Sequence, residues 1–329
     1  MEQFCRKWSK HGNHTVARAL YATHPEAFSS LDNARTAVRV CRGNQGNNAR
    51  KSARVPRKPA LGTEIPPSLD RPWVPHIFKE RLSLVLSDLH VPYHDEEACE
   101  TVINYADNQR KGNGKKAPVE LVYINGDLID FYAISRFISD PTQRDIYYEV
   151  VATRAMLAYL RQRFPKARIV WKMGNHCERW EHYVYTQAPV LASLTKNQEV
   201  MSVEALLELA THKVELIKGR DRGKIGKLSL LHGHEMQMGA NSPVSAARTA
   251  LLKCGECTML GHYHHTSEQP FTTIDERLIH CWSTGCLCGL HPEYARVNRW
   301  NQGAALVRLH PHSGFQVENF RHHKGQIYS

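Results

Sequence analysis

The sequence predicts an α/β fold preceded by a small, basic helical module. Over most of the chain, apolar runs of strand length alternate with amphipathic runs of helix length, and polar residues follow the apolar runs. Such alternation is typical of a parallel or mixed sheet with helices outside it. The excess positive charge is concentrated near the start of the chain. At 329 residues, 42% of them hydrophobic, the chain is long enough for one large and one small domain.

Net charge separates the first quarter of the chain from the rest. The whole chain carries +11; residues 1–80 contain 14 Lys or Arg against 6 Asp or Glu, whereas residues 81–329 contain 29 against 26. A general basic character would be spread evenly. The distribution therefore indicates a basic module attached to a nearly neutral body.

Composition also indicates the compartment. No run approaches the roughly eighteen apolar residues of a membrane span, and no signal-peptide pattern follows Met1. The nine cysteines are odd in number and do not follow a disulfide framework, which fits a reducing compartment. The expectation is a cytoplasmic protein without membrane contact, and its oligomeric state is left open.

Residues 1–45 are predicted to form the basic helical module. Thr15 is placed to cap a first helix that ends before Pro25. Ser29 and Asp32 form a capping-box pattern at the start of a second helix. Two short helices are therefore expected in this module.

The second helix carries a basic stripe. Arg35, Arg39 and Arg42 share one face at spacings of four and three, opposite an apolar face. A helix that reads a nucleic-acid groove would show this pattern, so a helix-turn-helix is one hypothesis. The three arginines are then candidate substrate-binding residues, with nucleic acid as the partner. The alternative is an amphipathic helix whose arginines only face water.

Residues 46–80 are predicted to be a Pro- and Gly-rich basic linker. Basic residues cluster between Arg50 and Lys58. Such a segment cannot bury much apolar surface. Its basic cluster either follows a phosphate backbone or only keeps the linker soluble.

Residues 81–329 are predicted to form the α/β body. Short apolar runs predict strands and longer periodic runs predict helices; Ser242 and Pro243 mark one helix start. In chain order, the elements are a strand at 82–86, a helix at 96–109, a strand at 121–124, a helix at 143–164, a strand at 169–173, a helix at 178–185, a strand at 228–231, a helix at 242–253 and a strand at 257–260. Further strands near Thr272 and Leu278 and at 305–309 and 315–320 are expected to form a second sheet packed on the first.

Five short polar blocks follow the strand-like runs. They are SDLH at 87–90, NGD at 125–127, GNH at 174–176, LHGH at 231–234 and GHYH at 261–264. Parallel strands end at one edge of a sheet, where open α/β sheets bind their ligands. Carboxylate and imidazole groups together suit divalent ions such as Mn, Fe or Zn. The ordered set therefore predicts a metal centre at this edge.

The five blocks together resemble the signature of the calcineurin-like metallophosphoesterase superfamily, which runs D-x-H, G-D-x-x-D, G-N-H, H-G-H and G-H-x-H. All five occur in this order between residue 81 and the end of the chain. Segments 88–95 and 282–288 are also similar to the branch found in phages and prophages, which would place the protein in a host cytoplasm. The resemblance implies an αββα sandwich.

The resemblance also implies two divalent metal ions, with Mn as the first candidate and Fe, Zn or Ni as alternatives. Asp127 would bridge the two ions. One ion would take Asp88, His90, Asp127 and His264, and the other would take Asp127, Asn175, His232 and His262.

Catalytic and substrate-binding candidates lie close to the blocks. His176 would protonate the leaving oxygen of the ester. Asp130 would orient a neighbouring histidine, or would only cap the segment that follows it. Arg179 and Arg248 are candidates for contact with the substrate phosphate, the alternative being surface salt bridges. Cys177 departs from the family pattern, in which an acidic residue is common at this position.

Two pairs of cysteines lie near the last blocks. Cys254 and Cys257, with Cys286 and Cys288, offer four thiols. Their spacing departs from the repeated C-x-x-C of a zinc ribbon. They are therefore expected to be small apolar residues of the core.

The leading functional interpretation is a two-metal phosphodiesterase or nuclease that acts on nucleic acid. A metal-bound hydroxide would attack phosphorus, and the basic module would hold the polymer. One alternative is a phosphomonoesterase, including a protein phosphatase, or a small-molecule phosphodiesterase. Another is a DNA-binding protein without catalysis.

Overall fold

Contacts within the chain divide it into two units, Met1–Pro72 and Trp73–Ser329. The computed structural model describes residues 1–43, 67–70, 72–110, 112–136, 140–196, 200–236, 245–310 and 314–329. Most of the expected linker, with its basic cluster at 50–58, lies outside the described residues, and so do Ser242 and Pro243. No described helix is long and apolar enough to cross a membrane.

The described part of the first unit contains three α-helices around a small apolar core. They are α1 (Glu2–Lys7), α2 (Asn13–Thr23) and α3 (Leu31–Cys41). The buried side chains of this core come from all three helices, and they are Cys5, Val16, Ala17, Leu20, Ala34 and Val38. The apolar face expected on the second helix is therefore buried.

The two longer helices begin at positions other than those expected. α2 begins at Asn13, so Thr15 lies in its first turn rather than at its cap. α3 is capped by Ser30 instead of Ser29, because the Ser30 hydroxyl accepts a hydrogen bond from the Asn33 N–H at 3.2 Å. The helix-turn-helix interpretation of this pair stays a prediction.

The second unit is built from two mixed β-sheets, which confirms the predicted α/β class. Its strands are β1 (His76–Phe78), β2 (Leu82–Leu86), β3 (Leu121–Asn125), β4 (Arg168–Lys172), β5 (Val214–Ile217), β6 (Gly223–Ile225), β7 (Leu228–Leu231), β8 (Thr258–Leu260), β9 (Ser267–Thr272), β10 (Leu278–Ser283), β11 (Gln302–His310), β12 (Gly314–His323) and β13 (Gln326–Tyr328). One sheet has the order β13-β12-β11-β2-β3-β4-β5, and the other has the order β1-β6-β7-β8-β10-β9.

Helices connect and cover the strands. They are α4 (Glu96–Asp107), α5 (Ile146–Arg163), α6 (Arg179–Gln187), α7 (Ser193–Lys196), α8 (Val203–Leu206) and α9 (Ala246–Cys254). The helices expected at 96–109, 143–164, 178–185 and 242–253 correspond to α4, α5, α6 and α9. The bounds differ by two to four residues at some ends.

Alternate residues of the seven-stranded sheet face different layers. Leu84 and Leu86 pack in the cluster that includes α4 and α5, whereas Val85 packs against the six-stranded sheet. On the other face of the six-stranded sheet, Leu231 and Leu260 pack against α9. The layers therefore follow the order helix, sheet, sheet, helix, with one apolar cluster between the two sheets.

The C-terminal strands join a different sheet from the expected one. Segments 305–309 and 315–320 are expected in the second sheet, but β11 pairs antiparallel with β2 and β12 pairs with β11, so both extend the first sheet. The physical reason is that β11 is buried on both faces: Leu306 packs with the helices, and Ala305 and Val307 pack with the other sheet. The strands expected near Thr272 and Leu278 do lie in the second sheet, as β9 and β10, together with β1, β6, β7 and β8.

The ends of five strands meet at one edge of the second unit. β2, β3 and β4 are parallel neighbours in one sheet, and β7 and β8 are parallel neighbours in the other. Asn125, at the end of β3, joins the two edges, because its Nδ2 donates a hydrogen bond to the carbonyl oxygen of Leu231 at 2.8 Å. The five polar blocks begin at or just after these strand ends.

Candidate metal centre

Hydrogen bonds between loops bring the predicted ligands together. The His90 N–H donates to the Asp127 carbonyl oxygen at 2.8 Å, which joins the first two blocks. The His176 N–H donates to Asp127 Oδ1 at 2.9 Å. The His262 N–H donates to Asp88 Oδ2, also at 2.9 Å. Blocks that are far apart in sequence therefore form one connected cluster.

Five of the seven predicted ligands have a left-handed backbone conformation. The angle φ is 55° at Asp88, 49° at His90, 39° at Asp127, 66° at His262 and 56° at His264. Residues other than glycine rarely adopt this conformation, and each instance costs roughly 1–3 kcal/mol. The surrounding fold therefore holds these residues against their local preference, as is common at functional sites.

Two glycines of the blocks are required by close packing. A Cβ atom on Gly126 would lie 1.9 Å from His232 Nδ1, and one on Gly174 would lie 2.3 Å from Asp127 Oδ1. Any larger residue would displace a buried imidazole or carboxylate. The glycines of the NGD and GNH blocks thus shape the centre without contributing a side chain.

Three histidines are each held at Nδ1 by a different partner. His90 Nδ1 lies 2.9 Å from Asp130 Oδ2, and His232 Nδ1 lies 2.7 Å from the carbonyl oxygen of Asn125. His264 Nδ1 lies 3.8 Å from the sulfur of Cys288. A partner at Nδ1 orients the ring and leaves Nε2 as the ligand atom, which is the usual arrangement of metal-binding histidines.

The Nε2 atoms of these histidines face each other and the carboxylates. His90 Nε2 and His264 Nε2 are 3.2 Å apart. His264 Nε2 lies 3.3 Å from Asp88 Oδ1, and His232 Nε2 lies 3.0 Å from Asp127 Oδ2. When both Nδ1 atoms carry the hydrogen, two Nε2 lone pairs face one another. A cation between them would stabilise that arrangement.

Two buried oxygen atoms provide an independent test of whether the site fits a metal. Asp88 Oδ1 and Asn175 Oδ1 are buried and have no hydrogen-bond partner among the described residues. A buried acceptor without a partner is costly, so its presence in a well-packed region needs an explanation. A divalent cation would satisfy both atoms, and the set of oxygen and imidazole donors suits such an ion.

Carboxylates and histidines balance one another inside the cluster. Burial alone would raise the pKa of Asp88 and Asp127, but neighbouring histidines hold both pKa values below the usual range. Burial lowers the pKa of His232, yet Asp127 and Asp88 outweigh it and raise the pKa to about 10. Burial lowers the pKa of His262 to about 4. The two carboxylates thus stabilise a positive charge within the cluster, as the raised pKa of His232 shows.

Among the residues that the structure describes, three sets of side chains have ligand atoms that all lie within 4.8 Å of one another. They are His90, Asp127 and His176; Asp127, His232 and His262; and His90, His264 and Cys288. Asp127 belongs to two of these sets. The buried groups of this edge can therefore hold metal ions.

Asp130 connects two histidines and an arginine. Its Oδ2 lies 2.9 Å from His90 Nδ1 and 3.2 Å from His176 Nδ1, so it orients both rings. Its Oδ1 accepts a hydrogen bond from Arg179 Nη1 at 3.0 Å, and Arg179 Nη2 donates to His176 Nε2 at 3.1 Å. Burial would raise the pKa of Asp130, but hydrogen bonds from His176 and His90 hold it well below the usual range. Arg179 therefore lies at the centre rather than in a surface salt bridge.

The other predicted substrate-binding arginines differ from one another. Arg248 is exposed on α9 and is not among the described residues that line the two cavities beside the centre. Arg35 and Arg39 are exposed on α3. Arg42 instead donates hydrogen bonds to the carbonyl oxygens of Trp8 and His11 at 2.6 and 2.7 Å, and to Asn13 Oδ1 at 2.9 Å. Arg42 thus connects the three helices of its unit.

The role of one cysteine at the site is missed by the sequence reasoning. All nine cysteines are free thiols; Cys286 and Cys288 are buried as expected, and Cys254 and Cys257 are only partly buried. Cys288 also orients His264, a contact that its distance along the chain conceals. The one sequence feature that points to Cys288 is the resemblance of segment 282–288 to the phage and prophage branch. That resemblance assigns no role to the cysteine.

Two cavities open beside the centre. One of about 670 Å³ is bounded by His90, Asp130 and Cys288 and by aromatic side chains. The other, of about 630 Å³, is lined by Asn175 and Arg179 and by further basic residues. Both are within the size range of small-ligand sites. A substrate at the centre would therefore have two chemically different surfaces within reach.

Neither the comparison with protein-family models nor the search of curated proteins gives a match to this chain. The geometry of the centre is therefore the main guide to its function.

Proposed function

We propose that this chain is a metal-dependent phosphoester hydrolase of the calcineurin-like metallophosphoesterase superfamily, and that it acts as a phosphodiesterase on nucleic acid. The observation that carries the proposal is Asp88 Oδ1. This buried atom makes no well-aligned hydrogen bond among the described residues, yet it lies 3.3 Å from His264 Nε2 and within 3.9 Å of the Nε2 atoms of His90 and His232. A carboxylate oxygen surrounded by imidazole nitrogens is an arrangement typical of a metal site.

The ligand atoms are suited to two divalent ions, with Mn²⁺ as the first candidate. Asp88, His90, Asp127 and His264 would hold one ion, and Asp127, Asn175, His232 and His262 would hold the other. Asp127 is the natural shared ligand, because its Oδ2 lies 3.0 Å from His232 Nε2 and 3.9 Å from His90 Nε2. When bound, such ions supply Lewis acidity toward phosphoryl oxygens and lower the pKa of bound water.

His176 is the candidate general acid. Asp130 holds its Nδ1, so Nε2 is the atom that would transfer a proton to the leaving oxygen of the ester. For this role Nε2 must carry a proton, and Arg179 would have to turn from Nε2 toward the substrate. Arg179 Nη2 lies 3.1 Å from that same Nε2. A substrate oxygen that approaches Nε2 would therefore also meet a guanidinium group, which can bind a phosphoryl oxygen.

Nucleic acid as the substrate is supported by the charge of the first unit. Residues 1–72 contain 13 Lys or Arg against 5 Asp or Glu, which is +8 of the net charge of +11, and Arg35 and Arg39 are exposed on α3. A basic surface of this kind binds a phosphate backbone through charge, with an affinity that falls as salt increases. The first unit would bind the polymer, and the second would hydrolyse it.

A hydrolysis panel tests the reaction class. The full-length protein, reconstituted with Mn²⁺, would be assayed on bis(p-nitrophenyl) phosphate, p-nitrophenyl phosphate, single- and double-stranded DNA, RNA and a phosphopeptide. We expect diesters to be preferred over the monoester, and nucleic-acid cleavage to weaken steeply as salt rises. Preference for the monoester or the phosphopeptide would contradict the phosphodiesterase assignment.

Leaving-group dependence tests the role of His176. A general acid matters most when the leaving oxygen is a strong base, so His176→Ala should lose more activity on DNA than on bis(p-nitrophenyl) phosphate. His310→Ala, at an exposed position at the end of β11, is the matched control and should retain both activities. Equal losses on the two substrates would remove His176 as the acid.

A further inference from the structure

We propose that the 670 Å³ cavity beside His90 binds the base of the nucleotide whose phosphate lies at the metal centre, and that the protein therefore acts on unpaired nucleotides. This inference rests on the proposed phosphodiesterase function and defines its substrate further. Apart from His90, the residues that line this cavity lie outside the five polar blocks. The cavity lies in the second unit alone.

The floor of the cavity belongs to the metal centre. His90, Asp130 and Cys288 all line it, and these residues are a predicted ligand and two groups that orient predicted ligands. An occupant of the cavity would therefore be next to any phosphate bound at the centre. This position fits the sugar and base attached to that phosphate.

The walls carry two pairs of aromatic rings. Tyr93 and Tyr132 meet edge to face with ring centres 5.6 Å apart, and Tyr294 and Trp300 meet in the same way at 6.1 Å. Trp300 also packs edge to face on the ring of His264 at 4.1 Å. The aromatic wall thus extends from a predicted ligand outward to solvent.

Two of these rings are exposed. Tyr294 is 71% exposed and Tyr93 is 40% exposed, although both are large side chains with apolar faces. Aromatic faces beside a phosphate-binding site are characteristic of proteins that bind single-stranded nucleic acid, where each base stacks on a ring. Bases in a duplex are already stacked on each other, so only an unpaired base could enter.

Polar groups at the cavity suit the edge of a base. His94, His291 and Arg296 line it together with Glu293, so both donors and acceptors are present. The 630 Å³ cavity differs, because Arg136, Arg144 and Arg179 line it and its one aromatic residue other than histidine is Tyr183, among the described residues. Stacking therefore assigns the base to the first cavity rather than to the second.

The test compares ligands that differ only in the base. Binding of adenosine monophosphate and of ribose 5-phosphate to the full-length, Mn²⁺-loaded protein would be measured by calorimetry. We expect the nucleotide to bind about 5- to 100-fold more tightly, as stacking of one base would contribute. Tyr294→Ala should reduce this ratio at least about fivefold, while Tyr294→Phe, which keeps the ring, should preserve it.

Tyr147→Ala is the matched control. Tyr147 is 76% exposed on α5 and is not among the residues that line either cavity. Its removal should leave the ratio of the two affinities unchanged. Equal affinities for the two ligands, or a ratio that Tyr294→Ala does not alter, would overturn the inference.

A second measurement separates this inference from the proposed function. A thymidine dinucleotide and the same diester with one abasic position would be assayed for hydrolysis. If both are cleaved equally and the affinity ratio is one, the protein is a phosphodiesterase but the cavity does not bind a base. If neither is cleaved while the affinity ratio remains high and depends on Tyr294, the base site stands and the proposed hydrolysis fails.

Discussion

The metal centre of the second unit and the arginine stripe of α3 in the first unit place polar groups in opposite surroundings. At the centre, Asp88 and His232 are 0% exposed. The Nδ1 atoms of His90, His232 and His264 are each held by a neighbouring group. On α3, Arg35 and Arg39 face solvent. Arg42, the third member of the stripe, is engaged in hydrogen bonds within its own unit.

This difference decides how much each region tells about its ligand. A buried, strained polar group is costly, so its retention indicates that something compensates for it. An exposed arginine costs little, and its position is equally compatible with water and with a phosphate. The geometry of the centre thus supports a metal directly, whereas the proposal for the stripe depends on net charge.

The largest effect should follow from removal of the charge of Asp127. Asp127→Asn keeps the shape of the side chain but removes a carboxylate that faces His232 and His90. We expect the affinity for Mn²⁺ to fall about 100-fold or more, and hydrolysis to be lost with it. Metal content after dialysis is the measurement, with Arg39→Ala as the comparison that should retain its metal. Full metal content in Asp127→Asn would contradict the shared-ligand assignment.

A smaller loss should follow from Asp130→Asn. This residue contacts no ion in the proposed arrangement but orients His90 and His176. Groups that orient metal ligands typically contribute about 10- to 100-fold in metal affinity or activity. We expect a decrease in that range by metal titration. Asp275→Asn changes an exposed carboxylate and should have no effect; an unchanged titration in both variants would make Asp130 only structural.

How far the sequence predicts this protein depends on whether the relevant contacts are local. The strands before the blocks can be predicted because their runs are mostly apolar, with a single serine in each of β2 and β7. The pairing of β11 with β2 cannot, since it joins residues 305–308 to residues 82–85 and leaves no periodic signal in either segment. Sheet membership is a non-local property.

The same distinction applies to the site. The block residues could be selected because their types and order follow strand ends. Cys288 could not, because its contact with His264 depends on how the loop after β10 returns to the centre. For Arg42 the sequence suggests a ligand-binding role that its contacts do not support. Helical spacing places Arg42 in the basic stripe, but its guanidinium donates hydrogen bonds to Trp8, His11 and Asn13 within its own unit.

The free energy of unfolding should depend on pH through a buried carboxyl group outside the metal centre. Glu149, on α5, is 2% exposed, and burial raises its pKa to about 7 from an ordinary value of 4.5. The folded protein then binds more protons than the unfolded chain between these values. Its contribution to stability is complete below about pH 4.5 and is lost as the pH rises through about 7, a change on the order of 3 kcal/mol.

Glu149→Gln is the variant that tests this contribution. The amide cannot titrate, so the decrease in unfolding free energy between pH 5 and 8 should become shallower. Absolute stability is expected to fall as well, because the two Glu149 oxygens accept hydrogen bonds from the Tyr132 and Ala133 N–H groups. Glu100→Gln, at an exposed position on α4, should keep the wild-type slope. Identical slopes in all three proteins would contradict the raised pKa.

The smallest effects should come from the arginine stripe of α3. Arg42 should affect stability, whereas Arg35 and Arg39 should affect only the binding of nucleic acid. Arg42→Ala removes three hydrogen bonds from a charged donor and should destabilise the first unit by about 1–3 kcal/mol. Arg39→Ala should change stability by less than about 0.5 kcal/mol. On single-stranded DNA, however, Arg39→Ala should reduce the slope of log affinity against log salt by about 0.7, since one phosphate contact is lost. If the salt slope is unchanged in Arg39→Ala and in Arg35→Ala, the stripe only faces water, and the basic character of this unit needs another explanation.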